Sequence, residues 1–122
     1  MKLHSTAPAA SNVFTGYGEG YVGVNARRID SSVVVTPEQV DPWSPASFEA
    51  LASEHFAALL GRDIEVVLLG TGAKLRFPPA QILRPLIEAG IGVEVMDVPA
   101  ACRTYNILVA EGRKVAAALL LP

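Results

Sequence analysis

The chemistry that this 122-residue sequence offers begins with a glycine turn and two cations. Gly70-Thr71-Gly72 ends an apolar run and is followed by Lys74 and Arg76. The N–H groups of such a turn, with two cations, suit a phosphate or a carboxylate. The motif matches neither the P-loop nor the dinucleotide fingerprint. A tight strand exit with solvated basic side chains is therefore the competing interpretation.

The single cysteine lies in a second polar stretch. A helix that begins near Pro99 places Cys102 in its first turn, where the macrodipole and Arg103 would lower the thiol pKa. A nucleophilic cysteine needs a base, and the two histidines, His4 and His55, are poorly placed in the sequence. Cysteine is also a common core residue, which is the alternative interpretation. No catalytic residue is predicted.

The two polar stretches meet if their strands pair in parallel. Asp97 then closes the second strand at the edge where the glycine turn lies. There it would stabilise a helix N-terminus or neutralise Lys74 or Arg76, which weakens a phosphate hypothesis. A polar crevice is still expected at this edge. Its predicted residues are Gly70, Thr71, Gly72, Lys74, Arg76, Asp97, Cys102, Arg103 and Asn106.

Metal and cofactor sites are not predicted. One cysteine excludes an intramolecular disulfide and a cysteine-only metal site. His55 lies on or beside an apolar helical stripe, where a lone histidine is usually structural. The sequence therefore supplies no metal cluster and no cofactor motif.

The second half of the chain has a strand–helix rhythm. The predicted order is strand Val66–Leu69, helix Pro79–Ala89, strand Gly92–Met96, helix Pro99–Glu111 and strand Val115–Leu121. Proline at the helix starts and glycine at their ends favour these bounds. Pro85 removes a helical bond, so the first helix should be kinked or begin late. Such an order predicts parallel pairing through right-handed crossovers, with Val66–Leu69 as the central strand.

The first half is β-rich before it becomes helical. Short runs at Val13–Thr15, Tyr21–Val24 and Ser32–Val35 predict an antiparallel meander with a turn at Asn25. Asp41–Pro45 is a proline-broken connection that contains Trp43, which is expected to cover an edge of the core. Apolar residues at helical spacing then predict a helix from the N-cap Ser47 to a stop at Gly61.

These elements predict one α/β domain. Its mixed central sheet has a parallel βαβαβ C-terminal half with helices packed on it, and the N-terminal antiparallel meander forms a smaller layer. Residues 1–11 are expected to be a flexible lead-in, and residues 12–122 the domain.

Composition limits the partners and the compartment. Hydrophobic residues make up 51% and charged residues 18%, enough apolar material for a core. The net charge of −2 and the absence of a basic cluster argue against nucleic acid. No apolar run approaches the roughly 18 residues of a membrane span, and no signal or transit peptide is visible. A cytoplasmic protein is expected.

The ordered blocks of the sequence resemble a known family. Val67–Gly72, Gly90–Asp97, Ala100–Asn106 and Glu111–Arg113 together resemble the Mth-type domain of unknown function. That family includes a human adipogenesis-associated protein and a mitochondrial complex I assembly factor. The resemblance covers most of residues 12–122. It implies a compact α/β domain with a mixed sheet, no established activity or cofactor, and action through protein partners.

Three functions follow, in decreasing order of support. The first is a non-catalytic protein-interaction or assembly-assisting module with a protein partner. The second is a small-molecule or anion-binding domain that uses the crevice described above. An enzyme centred on Cys102 comes third. The high apolar content also suits a homo-oligomer.

Overall fold

A computed structural model describes residues 1–3, 8 and 10–122 of the chain. The strands are β1 (Phe14–Gly18), β2 (Tyr21–Val24), β3 (Arg27–Ile29), β4 (Val33–Val35), β5 (Val40–Pro42), β6 (Val66–Gly70), β7 (Gly92–Met96) and β8 (Val115–Leu119). The helices are α1 (Ser53–Ala57), a 3-10 helix (Ala80–Leu83), α2 (Arg84–Glu88) and α3 (Val98–Ala110).

A five-stranded mixed sheet forms the centre of the molecule, in the order β5-β4-β8-β6-β7. Strand β6 pairs in parallel with β7 and with β8, whereas β4 is antiparallel to β8 and β5. Every residue of β6 and β8 is buried, as expected for apolar strands covered on both faces. The predicted mixed sheet with a parallel C-terminal part is confirmed. The middle strand of the five is β8, while β6 is the middle of the three parallel strands.

Two apolar cores lie on opposite faces of this sheet. One core contains Tyr105 of α3 together with Phe14 of the smaller three-stranded sheet β1-β2-β3. The other contains Phe56 of α1, Leu86 of α2 and Trp43, which is only 7% exposed. Trp43 thus covers the core as predicted, with its ring edge-on to Phe56.

The N-terminal meander is confirmed in kind but differs in its third strand. That strand is Arg27–Ile29, which follows a turn at Asn25 with φ of +52°. The run Val33–Val35 joins the central sheet instead, because all three of its side chains are buried there and β8 offers an equally apolar neighbour. The proline-bearing segment Val40–Pro42 is an edge strand, a position where a missing N–H is tolerated.

The helix predicted to run from Ser47 to Gly61 is much shorter. Ser47 accepts from the N–H of Ala50, but this closes a single turn, and Ala52 is extended (φ −142°, ψ 164°). Helix α1 begins only at Ser53. The apolar residues of this segment recur at helical spacing because the turns that replace the helix also direct them toward the core. The helix also ends earlier than the predicted stop at Gly61: its last residue is Ala57, and Ala58 is the C-cap.

The helices of the C-terminal half agree with their local signals. Pro85 does delay its helix: a 3-10 helix precedes α2, which has Pro85 in its first turn. Helix α3 begins at Val98, with Asp97 as N-cap. In the part of the chain that the structure describes, no helix is long and apolar enough to cross a membrane.

The start of the chain lies along β1. Lys2 bridges to Gly16, and the N–H of Leu3 donates to the Thr15 carbonyl at 3.1 Å. The rest of the predicted lead-in includes residues 4–7 and 9, which lie outside the described residues, as does His4.

Candidate functional site

The side chain of Thr71 organises the loop that leaves β6. Its hydroxyl donates to the carbonyl oxygen of Lys74 at 2.7 Å and accepts from the N–H of Arg76 at 3.0 Å. Thr71 is itself 1% exposed. The hydroxyl therefore stabilises the loop from inside, and it faces no open crevice.

The glycine turn and the Asp97 segment do converge. The N–H of Thr71 donates to the Met96 carbonyl, and the N–H of Val98 donates to the Gly72 carbonyl, both at 2.9 Å. Asp97 accepts from the N–H of Ala100 at 2.8 Å as the N-cap of α3. These bonds close the gap between the segments, because the groups that would hold a ligand bind each other.

The predicted cations point to different places. Arg76 pairs with Glu49 at 2.9 Å and lies 4.2 Å above the ring of Phe48. Arg103, on α3, donates to the hydroxyl of Tyr17 at 2.7 Å. Both guanidinium groups are thus bound to separate protein groups. That these residues hold an anion stays a prediction.

Cys102 is a core residue. Its side chain is fully buried, and burial raises its pKa from 9.0 to about 12, although Arg103 acts weakly in the opposite direction. A thiol in this state is protonated at neutral pH and is a poor nucleophile. The core interpretation of Cys102 fits this geometry.

Asn106 connects α3 to the smaller sheet. Its side-chain amide donates to the carbonyl of Phe14 at 2.8 Å, and its oxygen accepts from the N–H of Phe14 at 2.9 Å. Nearby, the hydroxyl of Tyr105 donates to the Asn12 carbonyl. Asn106 is therefore occupied by backbone recognition within the protein. Nothing local in the sequence indicates this bond, because its partners are 92 positions apart.

His55 has a structural partner as well. Its Nδ1 accepts from the N–H of Ala52 at 3.0 Å, which satisfies a donor at the start of α1. Among the described residues, no three His, Cys, Asp or Glu side chains are grouped closely enough to hold a metal ion.

A pocket lies at the carboxyl ends of β6 and β8, the edge of the sheet where the crevice is predicted, but its lining is largely different. It has a volume of about 660 Å³ and lies between the β1–β2 turn, the loop after β6, the start of α3 and Leu120–Pro122. Of the nine predicted crevice residues, Gly72 lines it. Glycines at the two turns were the sequence signal that could have drawn attention to it.

A second feature that the sequence did not single out is the exposed loop after Gly72. Leu75 is 50% exposed and Phe77 is 72% exposed, whereas Pro78 between this loop and the 3-10 helix is buried. The Thr71 hydroxyl and the Arg76–Glu49 pair hold the loop in place. Two large apolar side chains are thus displayed on a fixed backbone.

The architecture is that of the Mth938-like domains. A solution structure from Bordetella pertussis, described as a Mth938-like domain, has a TM-score of 0.78 at 36% identity and covers 99% of this chain and 92% of its own. A crystal structure from Bordetella parapertussis has a TM-score of 0.86 at 41% identity and covers 94% and 100%. The family model described as protein of unknown function (DUF498/DUF598) matches residues 14–120. The chain belongs to this family.

Two relatives have names that describe a role or a place. A Bos taurus protein named NADH dehydrogenase (ubiquinone) 1 alpha subcomplex assembly factor 3 is 34% identical over 98% of this chain and 66% of its own length. The chain therefore spans just under two thirds of that relative. A Francisella tularensis protein named 13 kDa major membrane protein is 28% identical over 98% of this chain and 99% of its own.

Proposed function

We propose that this protein is a non-catalytic interaction module that assists the assembly of other proteins. The observation that supports it most is the likeness to an assembly factor along 98% of the chain. The likeness extends over the described sheets and helices, so it concerns the whole fold rather than one motif. The chain matches 66% of that relative's length.

The contacts of the polar residues support a non-catalytic role. Thr71, Asp97 and Asn106 each bind the backbone of this protein, and Cys102 is buried with a raised pKa. A catalytic group must reach a substrate in a suitable protonation state. Thr71, Cys102 and Asn106 are buried away from a substrate, and the carboxylate of Asp97 is engaged as the cap of α3.

The fixed loop after Gly72 supports the proposal of a protein partner. Exposed aromatic side chains are frequent anchors in protein interfaces. Binding through Phe77 should cost little further backbone entropy, because its loop is already held by Thr71 and Arg76. We place the partner's contact at Leu75 and Phe77.

The test is capture of partners at near-native expression, followed by reconstitution with the purified partner. We expect a stoichiometric partner whose affinity falls at least about tenfold in Phe77→Ser. Ile107→Ser is the matched control, because Ile107 is also exposed (59%) but lies on α3. Light scattering separates a partner complex from self-association. Recovery of this protein alone, or equal loss with both variants, contradicts the proposal.

We also place the protein in the cytoplasm. The support is that the sequence has no apolar run of membrane-spanning length and that no helix of the described residues could span a membrane. Fractionation of native cells tests this placement. Recovery in the membrane fraction after a high-salt wash would overturn it and would favour the membrane location in the name of the Francisella relative.

A further inference from the structure

The pocket at the carboxyl ends of β6 and β8 has the size of a ligand site. Its volume of about 660 Å³ falls within the range of roughly 300–1,000 Å³ that is typical of small-molecule sites. Two of its lining residues are close neighbours: a Cβ placed on Gly20 would be 3.3 Å from Cγ of Pro122. A Cβ on Gly72 would meet no atom within 4 Å, so this glycine faces open space.

The lining of the pocket is mainly apolar. Val98, Pro99, Leu120 and Leu121 are apolar residues of its wall, of which Val98 and Leu120 are almost completely buried. Glycine backbone at the two turns supplies much of the remainder. Binding of a matching apolar molecule to such a surface is favourable, because the apolar surfaces of both are removed from water.

The pocket has no free donors for an anion at the start of α3. The N–H of Val98 donates to Gly72, those of Ala100 and Ala101 donate to Asp97, and Pro99 has no N–H. Lysine and arginine are absent from its described lining.

Among the described lining residues, Glu19 is the one with a charged side chain, and it is exposed at the β1–β2 turn. Met1 also lines the pocket, and its amino group is bound to the Tyr17 carbonyl at 2.9 Å. The apolar part of the wall has no charged side chain, so a ligand with a full charge would lose hydration there without gaining a partner.

We propose that this pocket is a binding site for an uncharged, mainly apolar small molecule. This goes beyond the interaction module, because the pocket wall contains neither Leu75 nor Phe77. It also differs from the anion crevice predicted from the sequence in both its residues and its ligand chemistry. The two activities can therefore be lost separately.

The test uses two probes that differ by one sulfonate. N-phenyl-1-naphthylamine is neutral, and 8-anilino-1-naphthalenesulfonate is its charged counterpart. We expect the neutral probe to bind the full chain saturably at one site and at least about tenfold more tightly than the sulfonate. Amide shifts in nuclear magnetic resonance spectra should concentrate at Gly18, Gly20, Gly72 and Val98. Tighter or equal binding of the sulfonate overturns the ligand class.

Matched variants locate the site. Ala73→Trp places a large ring at the pocket wall, at an exposed position that the fold does not need. It should weaken binding of the neutral probe at least about tenfold. Leu75→Trp puts the same ring on the same loop but outside the pocket. Phe77→Ser removes the exposed aromatic side chain of that loop, which also lies outside the pocket. Both should bind as the unaltered protein does. Unchanged binding by Ala73→Trp, or loss in Phe77→Ser, overturns the site.

Discussion

Asn106 holds Phe14 by both of its backbone groups, with N–H and C=O bonds of 2.9 and 2.8 Å between residues 92 positions apart. The amide lies at the only orientation that satisfies both bonds, since it donates from Nδ2 and accepts at Oδ1. The ring of Phe14 packs edge-on to Tyr105, 5.0 Å away. These contacts join the three-stranded sheet to the helix that covers the central sheet.

Removal of the Asn106 amide should therefore destabilise the whole domain. Asn106→Ala leaves two buried backbone groups of Phe14 without a partner, and we expect a loss of about 2–4 kcal/mol in the free energy of unfolding. Chemical denaturation measures it. Ile107→Ala, at the next and exposed position of α3, should cost about 0.5 kcal/mol or less. Similar costs for the two variants would show that the two hydrogen bonds between Asn106 and Phe14 contribute little to stability.

Gly70 is a close-packed glycine of β6, and a methyl group there should not fit. Its Cβ would lie 2.7 Å from Cδ2 of the buried Leu119 and 3.2 Å from Cγ2 of Val98. We expect Gly70→Ala to destabilise the protein by about 1–3 kcal/mol through overpacking.

Gly92 is the matched control for this substitution. It lies at the paired start of β7, where a Cβ would be 3.7 Å from its nearest neighbour, an ordinary contact. Gly92→Ala should stay within about 0.5 kcal/mol of the unaltered protein in the same denaturation experiment. If both alanines were tolerated, the packing around β6 would be looser than these distances indicate.

The thiol of Cys102 should make stability fall at high pH. Burial raises its pKa from 9.0 to about 12, so below about pH 9 both folded and unfolded chains keep the proton and the full stability is present. Between these values the unfolded chain ionises first, and the free energy of unfolding should fall by up to about 1.4 kcal/mol per pH unit. Burial also raises the pKa of Tyr105, which acts in the same direction.

Cys102→Ala separates the two contributions. It should be less stable overall because of its cavity, but its free energy of unfolding should fall less steeply above about pH 9. In the native protein, alkylation of Cys102 by iodoacetamide should be slow at neutral pH and should become fast on unfolding. Rapid native alkylation would revive the enzyme hypothesis centred on this residue.

The hydroxyl of Thr71 should control the loop that displays Phe77. Thr71→Val keeps the shape of the side chain but loses the bonds to Lys74 and Arg76. Hydrogen exchange at the Arg76 amide should become at least about tenfold faster, equivalent to about 1.4 kcal/mol of lost local stability. Thr104→Val, on α3, is the control and should leave that amide unchanged. Equal exchange in both variants would mean that the Arg76–Glu49 pair alone holds the loop.

Local signals in the sequence determined the C-terminal half. The apolar run before Gly70 is a buried strand, Asp97 and Pro99 start α3, and Pro85 delays α2. These features depend on groups a few residues apart: a cap and its N–H, or a proline and the bond it removes. The family resemblance, which the match over residues 14–120 confirms, rested on the same stretches.

The tertiary structure decided what depends on distant partners. Val33–Val35 could pair with a meander or with β8, since its three apolar side chains suit either sheet. Thr71 and Asn106 are polar residues in the sequence, and only packing shows that their groups bind backbone. The pocket beside Gly72 arises where five separate segments meet. Side-chain direction and surface shape depend on the whole fold, which is why local patterns predicted the C-terminal strands and helices but neither the sheet that Val33–Val35 joins nor the lining of the pocket.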